Sequence, residues 1–228
     1  MTQPGQIVVV NGTSGSGKST TCELFQKRQD GYWLLYGIDH FTAGTLPNQF
    51  GHHGPRASEG IQAVPVDPAQ PDGALRWQFA DNGMKAFAAL HEWMAAVSRQ
   101  GLNVVFDHLL FSDPPVLQDL VSRTAGLPVL LVTLKPPFDV LERRVAERQM
   151  DKKLPIDLLG EDAAAKIVDR LTRLRPWFYE EVYRNPVTDL LIDTQALGPE
   201  AVCQQIEARL AQGPYTAFDI LRAQFEGS

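Results

Sequence analysis

Ile7-Val8-Val9-Val10 is a wholly apolar run, and four more runs of that kind recur along the chain. They are residues 32–38, Val104-Val105-Phe106, residues 129–134 and Leu190-Leu191-Ile192. Three of them end against an aspartate: Asp39, Asp107 and Asp193. Short strands that are apolar on both faces belong to a parallel sheet covered by helices on each side. The stretches between them carry a helical period. Residues 82–99 place Met84, Phe87, Leu90, Met94 and Val97 on one stripe of a helix. Helices are also expected over 19–29, 114–125, 138–150, 161–184 with an interruption at Pro176, and 200–210. Over 214–225, Tyr215, Phe218, Leu221 and Phe225 share one face, as in a last docked helix. The pattern predicts an α/β fold, a five-stranded parallel sheet with helices on both faces.

Residues 42–81 break this rhythm. The stretch is rich in Gly and Pro, residues 61–66 and 75–79 alternate, and turn formers fill 67–73. That predicts an inserted hairpin between the second and third core strands. Leu75, Trp77 and Phe79 share one of its faces, which serves either as a cap on the core or as a wall facing a substrate.

Between the first strand and the first helix lies Gly12-Thr13-Ser14-Gly15-Ser16-Gly17-Lys18-Ser19, a match to G-x-x-x-x-G-K-[ST]. Glycines let backbone N–H groups curl around an anion without Cβ clashes. A lysine at the position of Lys18 reaches β- and γ-phosphates, and a hydroxyl at Ser19 ligates Mg²⁺. The following helix start, with Thr20, adds its partial positive charge. The expected ligand is therefore a nucleotide's phosphates with Mg²⁺, bound by residues 12–20.

In open α/β sheets ligands bind beyond the carboxyl ends of the strands, where Asp39 and Asp107 stand. In the strand order usual for kinases built on such a loop, 2-3-1-4-5, the third strand lies about 4.8 Å from the first and the second about 10 Å. Asp107 is thus expected beside the metal and phosphates, and Asp39 farther out, where an acceptor hydroxyl waits for a general base. Each aspartate also fits a helix N-cap. His40 and His108, which follow them, are expected as pocket-wall or surface residues, and His52-His53 as loop.

Charge and composition narrow the partners. A hydrophobic content of 44% gives the chain a core to bury, so it is not disordered. No apolar run approaches the roughly 20 residues of a membrane helix. The N-terminus runs into a core strand without a basic region, unlike a signal peptide. The net charge of −6 argues against a nucleic-acid partner, though not against a small phosphorylated one. The two cysteines, Cys22 and Cys203, form no metal spacing. A reducing cytoplasm and one compact domain spanning 1–228 are the expectation.

Taken in order, these elements resemble the chloramphenicol phosphotransferase family. The resemblance runs through Val10-Asn11-Gly12 to Ser19, Tyr36-Gly37-Ile38-Asp39, Glu59-Gly60-Ile61 and Asn103-Val104-Val105-Phe106-Asp107-His108. It continues in Leu141-Glu142-Arg143-Arg144 with Arg148, and in Leu191-Ile192-Asp193-Thr194, covering residues 6–207. It implies a P-loop kinase fold and ATP-dependent phosphorylation of an antibiotic hydroxyl, with Asp39 as the catalytic carboxylate. Arg144 and Arg148 match the family's lid, Arg-x-x-x-Arg-Gly-Asp-Arg, but Gln149-Met150-Asp151-Lys152 follows here.

Four residues apart, Arg144 and Arg148 share a helix face. On the residues alone they suit a solvated mixed-charge face as well as a phosphate clamp. The resemblance favours the clamp and a lid over 143–175. It makes Asp39, Lys18, Arg144 and Arg148 the expected catalytic set, with Ser19 and Asp107 toward the metal. The expected function is transfer of the ATP γ-phosphoryl group to a small-molecule hydroxyl. The alternatives are a kinase of a metabolite, nucleoside or sugar nucleotide, and a nucleotide-dependent switch ATPase. Retained phosphate chemistry and altered acceptor preference are expected, because the chain departs from the family from 149 to 183.

Overall fold

Alternate residues of the central strands face opposite ways, and the two apolar sets bury against different helices. The computed structural model describes residues 3–51, 54–151 and 161–227, apart from the side chains of 148–151, 161–164 and 167. His52 and His53 lie outside the described residues. The elements in chain order are β1 (Ile7–Asn11), α1 (Lys18–Arg28), β2 (Trp33–Gly37), α2 (Ile38–Gly44), β3 (Ile61–Pro65), β4 (Leu75–Phe79) and α3 (Asp81–Arg99). There follow β5 (Asn103–His108), α4 (Val116–Arg123), β6 (Val129–Leu134), α5 (Phe138–Asp151), α6 (Glu161–Val182), β7 (Leu190–Ile192), α7 (Pro199–Gln212) and α8 (Ala217–Glu226).

The sheet order is β2-β5-β1-β6-β7. Every pair in it is parallel. Counted along the five core strands, this is the expected order 2-3-1-4-5. Ile7, Val9, Val104, Phe106, Val129 and Leu131 bury against α3, α4, α8 and the hairpin. Val8, Val10, Val105, Leu130, Val132 and Leu134 bury against Cys22 and Phe25 of α1 and Val202, Cys203 and Ile206 of α7. Both cysteines are buried free thiols. No helix among the described residues is long and apolar enough to cross a membrane.

β3 and β4 pair antiparallel as the inserted hairpin, Ile61 opposite Phe79 and Pro65 opposite Leu75. Two expectations need correction. Tyr32 was expected in the second strand, but it precedes β2 and is 71% exposed. Pro176 does not interrupt α6. A proline there removes one backbone hydrogen bond, but the helix is held from outside. Trp177 stacks on Phe111 at 5.1 Å, and Phe178 meets Trp77 edge-on at 4.9 Å. The tail folds as expected: Phe218 and Leu221 are buried in the core. Its helix α8 starts on the buried Asp189 carboxylate, which accepts the Thr216 and Ala217 N–H groups at 2.8 and 3.0 Å.

Candidate functional site

The loop from Gly12 to Ser19 joins the C-terminal end of β1, the middle strand, to the start of α1. Gly15 and Gly17 hold φ values of +84° and +93°. A side chain is strained in that left-handed region, so the loop's curl depends on glycine there. A glycine-rich curl that runs into a helix N-terminus is the kind of arrangement that receives phosphate, and within it the Ser16 N–H closes a turn on Thr13 O at 3.1 Å. Lys18 is buried at the first position of α1. Its ammonium has no ion pair or hydrogen bond among the described residues. Ser19 is half-buried behind it, while Ser14 and Thr20 are exposed.

Asp107 and Asp39 stand where strand order placed them. β5 adjoins β1, and Asp107 is in register with Val10 on one side and Gly37 on the other. Asp107 is buried, and its Oδ1 accepts the Ile38 N–H at 3.0 Å. It thus caps helix α2 from the neighbouring strand. A Cβ on Gly37 would fall 2.6 Å from that same oxygen, so only glycine lets the carboxylate approach. Asp39 sits one residue farther into α2 and is exposed. It is not the N-cap, which is Gly37. Its carboxylate has no partner among the described residues. The N-cap reading therefore fails for Asp39, and Asp107 caps α2 rather than a helix that follows it, which the sequence pattern alone had no means of showing because the cap crosses between strands.

Arg144 reaches the loop rather than solvent. Its guanidinium donates to Gly15 O at 3.3 Å, to Thr194 Oγ1 at 3.1 Å and to Thr194 O at 2.6 Å. Thr194 Oγ1 in turn donates to Ser16 O at 3.0 Å. This differs from an arginine held free to swing onto phosphates: Arg144 braces the loop from outside. The Arg148 side chain lies outside the described residues. Beside Arg144 opens a cleft of about 450 Å³, lined by Gly17, Thr20, Glu147, Leu197, Pro199 and Val202 among others. Its walls combine the phosphate loop with apolar side chains in and just before α7.

A loop of this kind on the middle strand of a 2-3-1-4-5 sheet has known relatives. The family described as chloramphenicol phosphotransferase-like protein matches residues 5–211. The chain belongs to that family. It is a P-loop small-molecule kinase, and solved kinases share its fold. An unliganded sugar kinase from Janibacter sp. HTCC2649 is 20% identical, covers 92% of this chain and 97% of its own, and has a TM-score of 0.56. The Mycobacterium tuberculosis APS kinase CysC, in complex with AMPPNP and APS, is 14% identical over 92% of this chain and 99% of its own, with a TM-score of 0.53. A gluconokinase from Sinorhizobium meliloti 1021 is 22% identical over 93% and 94%, with a TM-score of 0.50. No curated protein matches the chain.

In this phosphotransferase-like chain the hairpin face belongs to the core. Leu75 and Trp77 are buried there, and Phe79 packs partly buried against it. Trp77 meets the rings of Phe79, Phe111 and Phe178. Of the two readings of this face, the cap on the core holds. Trp77→Ala is therefore expected to lower stability by about 3–5 kcal/mol. Urea unfolding measures this, and a variant with an unchanged midpoint would return Trp77 to the substrate side.

His108 also departs from expectation. It is neither pocket wall nor surface but fully buried, and it lies in a chain of hydrogen bonds. The Leu109 N–H donates to His108 Nδ1 at 2.8 Å, so the His108 proton is on Nε2. That proton faces His91 Nε2 at 3.0 Å, and the His91 Nδ1–H then donates to Asp119 at 2.6 Å. Arg123 completes the chain on Asp119 at 2.9 Å. Burial pushes the His91 imidazole below its ordinary range against the pull of Asp119. Burial, then the neighbouring His91, pushes His108 well below it.

Both rings thus take up a proton less readily in the folded chain than in the unfolded one, where they protonate below about pH 6.5. The unfolded state binds more protons there, so stability is full above about pH 6.5 and falls as pH drops. The slope reaches at most about 1.4 kcal/mol per pH unit for each histidine. Unfolding at a series of pH values from about 7.5 to about 5 should show this fall, and His91→Leu should reduce its steepness. An equal slope in both proteins would mean the pair is not the cause.

Proposed function

We propose that the chain transfers the γ-phosphoryl group of ATP to a hydroxyl of a small molecule, in the manner of an antibiotic-inactivating chloramphenicol O-phosphotransferase. The observation that carries this is the pair of unpartnered charges beyond the carboxyl ends of the strands. Lys18 in the phosphate loop and Asp39 beyond the outer strand are left without partners among the described residues. An ionised group without a compensating partner is costly when buried, as Lys18 is. It fits a site whose partner arrives as ligand. A nucleotide-dependent switch has no use for the second charge.

In this reading the loop N–H groups and Lys18 hold the phosphates, and the cleft beside Arg144, Leu197 and Pro199 takes the base. Asp39 accepts the proton of the acceptor hydroxyl as the new oxygen–phosphorus bond forms. Arg144 braces the loop, and Arg148 is assigned to the transferred phosphoryl group. Mg²⁺, when bound, neutralises phosphate charge, and Ser19 with Asp107 would hold it. The residues fit such an ion: Asp107 Oδ2 carries no hydrogen bond among the described residues, since Oδ1 takes the Ile38 N–H. Among the described residues no cluster of three acidic, His or Cys side chains forms a metal cage. Mg²⁺ suits that, being held by one or two protein groups together with phosphates.

The proposal includes one domain over 1–228, with 42–81 on the acceptor side and 143–175 as lid. The test is a phosphate-transfer screen with Mg·ATP over hydroxylated antibiotics, nucleosides, sugars and sugar nucleotides, read by the mass gain of one phosphoryl group. Gain on a chloramphenicol-type alcohol supports the proposal. Gain confined to a nucleoside or sugar shifts it to a metabolic kinase. ATP hydrolysis with no acceptor modified in any class would overturn it.

A further inference from the structure

Three consecutive residues at and just past the end of α6 reach the ends of β1 and β6 and the loop that follows β5, three adjacent strands. The buried Glu181 accepts the Asp113 N–H at 3.1 Å, in the loop beyond β5. The Val182 carbonyl accepts Asn11 Nδ2 at 3.1 Å, at the end of β1. The Tyr183 hydroxyl donates to the carbonyl of Leu134, the last residue of β6, at 2.7 Å. The same hydroxyl accepts the Thr13 N–H, inside the phosphate loop, at 3.2 Å. Asn11 closes the set by accepting the Leu110 N–H at 3.0 Å.

Upstream, the same helix grips the hairpin. Arg173 donates to Gly73 O at 2.8 Å and also to Pro71 O, both in the hairpin turn. Phe178 packs edge-on against Trp77 of β4. From Arg173 to Tyr183 is about 15 Å of helix.

We propose that the C-terminal part of α6, from Arg173 on, is a strut between the hairpin and the phosphate loop, and that Tyr183 is the positioning residue at its loop end. The inference rests on the reading of residues 12–19 as a nucleotide-phosphate cradle. The physical ground is the accounting of buried N–H groups. Those that curl around a phosphate must be distinct from those spent inside the protein. Tyr183 takes the first N–H after Gly12, and so fixes where the loop leaves β1 and which later N–H groups remain for the anion. A phenol suits the task, since one oxygen both accepts from the loop and donates to β6. Phenylalanine keeps the ring and leaves both partners unmet. The loop then spends less time in its binding arrangement, and affinity falls by the population lost.

The probe is Mg·ADP, titrated calorimetrically into the full chain. Tyr183→Phe is expected to raise its Kd about tenfold. Tyr179→Phe serves as control. Its ring lies 5.0 Å from that of Tyr183, but its hydroxyl has no hydrogen bond among the described residues. It is expected to stay within about twofold. An unchanged Kd in Tyr183→Phe, or equal losses in both variants, would overturn the strut. Absence of Mg·ADP binding by the wild type would overturn the cradle reading and the strut together. If Tyr183→Phe does not fold, hydrogen exchange in the nucleotide-free wild type decides. A slow Thr13 amide supports the proposal, and one exchanging as fast as that of the exposed Ser14 overturns it.

Discussion

Lys18→Ala is expected to fold like the wild type and to lose turnover by about 10³-fold or more, or about 4 kcal/mol of transition-state stabilisation. Two features separate these effects. Lys18 is buried without an ion-pair partner among the described residues, so its removal deletes an uncompensated charge and should leave the melting temperature unchanged or higher. The loop's shape depends instead on Gly15 and Gly17, and on the braces from Arg144 and Tyr183. What is lost is the charge that meets the phosphates as transfer proceeds. The measurement is initial rate with Mg·ATP and the acceptor from the screen, beside a thermal melt. A folded Lys18→Ala with near-normal turnover would remove the phosphate loop from the mechanism.

Asp39→Asn is expected to reduce kcat by about 10²–10⁴-fold while changing ATP affinity little. The structure allows only a small stability effect. Asp39 is exposed and makes no side-chain bond among the described residues, so its structural share is the attraction of a carboxylate to the N-terminus of α2, about 0.3–1 kcal/mol. Asp107→Asn should behave differently. It alters the carboxylate that caps α2 and is assigned toward Mg²⁺, so it should raise the Mg²⁺ concentration needed for half-maximal rate. Should Asp39→Asn lower only the melting temperature, the acceptor base is another group.

The linear pattern of residues was enough for the parallel sheet and the phosphate loop, and each rests on local or nearly local physics. The order of the strands came instead from the arrangement usual for kinases built on such a loop. A strand apolar on both faces needs cover on both faces, and a glycine-rich turn between strand and helix has few conformations. The strand-end positions of Asp39 and Asp107 followed from the order of strands alone. The helix through Pro176 did not, because propensity opposes it and the decision was made by Trp177 and Phe178 packing on Phe111 and Trp77.

The site's supports were decided only in three dimensions. Tyr183 meets Thr13 across 170 residues, and Thr194 meets Ser16 across 178. A tyrosine after a helix or a threonine after a strand carries no periodicity that would single it out. The His91–His108 pair is likewise invisible in a list of residues, since its protons are placed by one backbone N–H and one carboxylate that the fold brings together. Chemistry-bearing residues announce themselves by type and spacing, because the ligand sets those. Residues that hold them in place are chosen by whatever buried N–H or C=O the packing leaves to be satisfied, and that accounting exists only once the chain has folded.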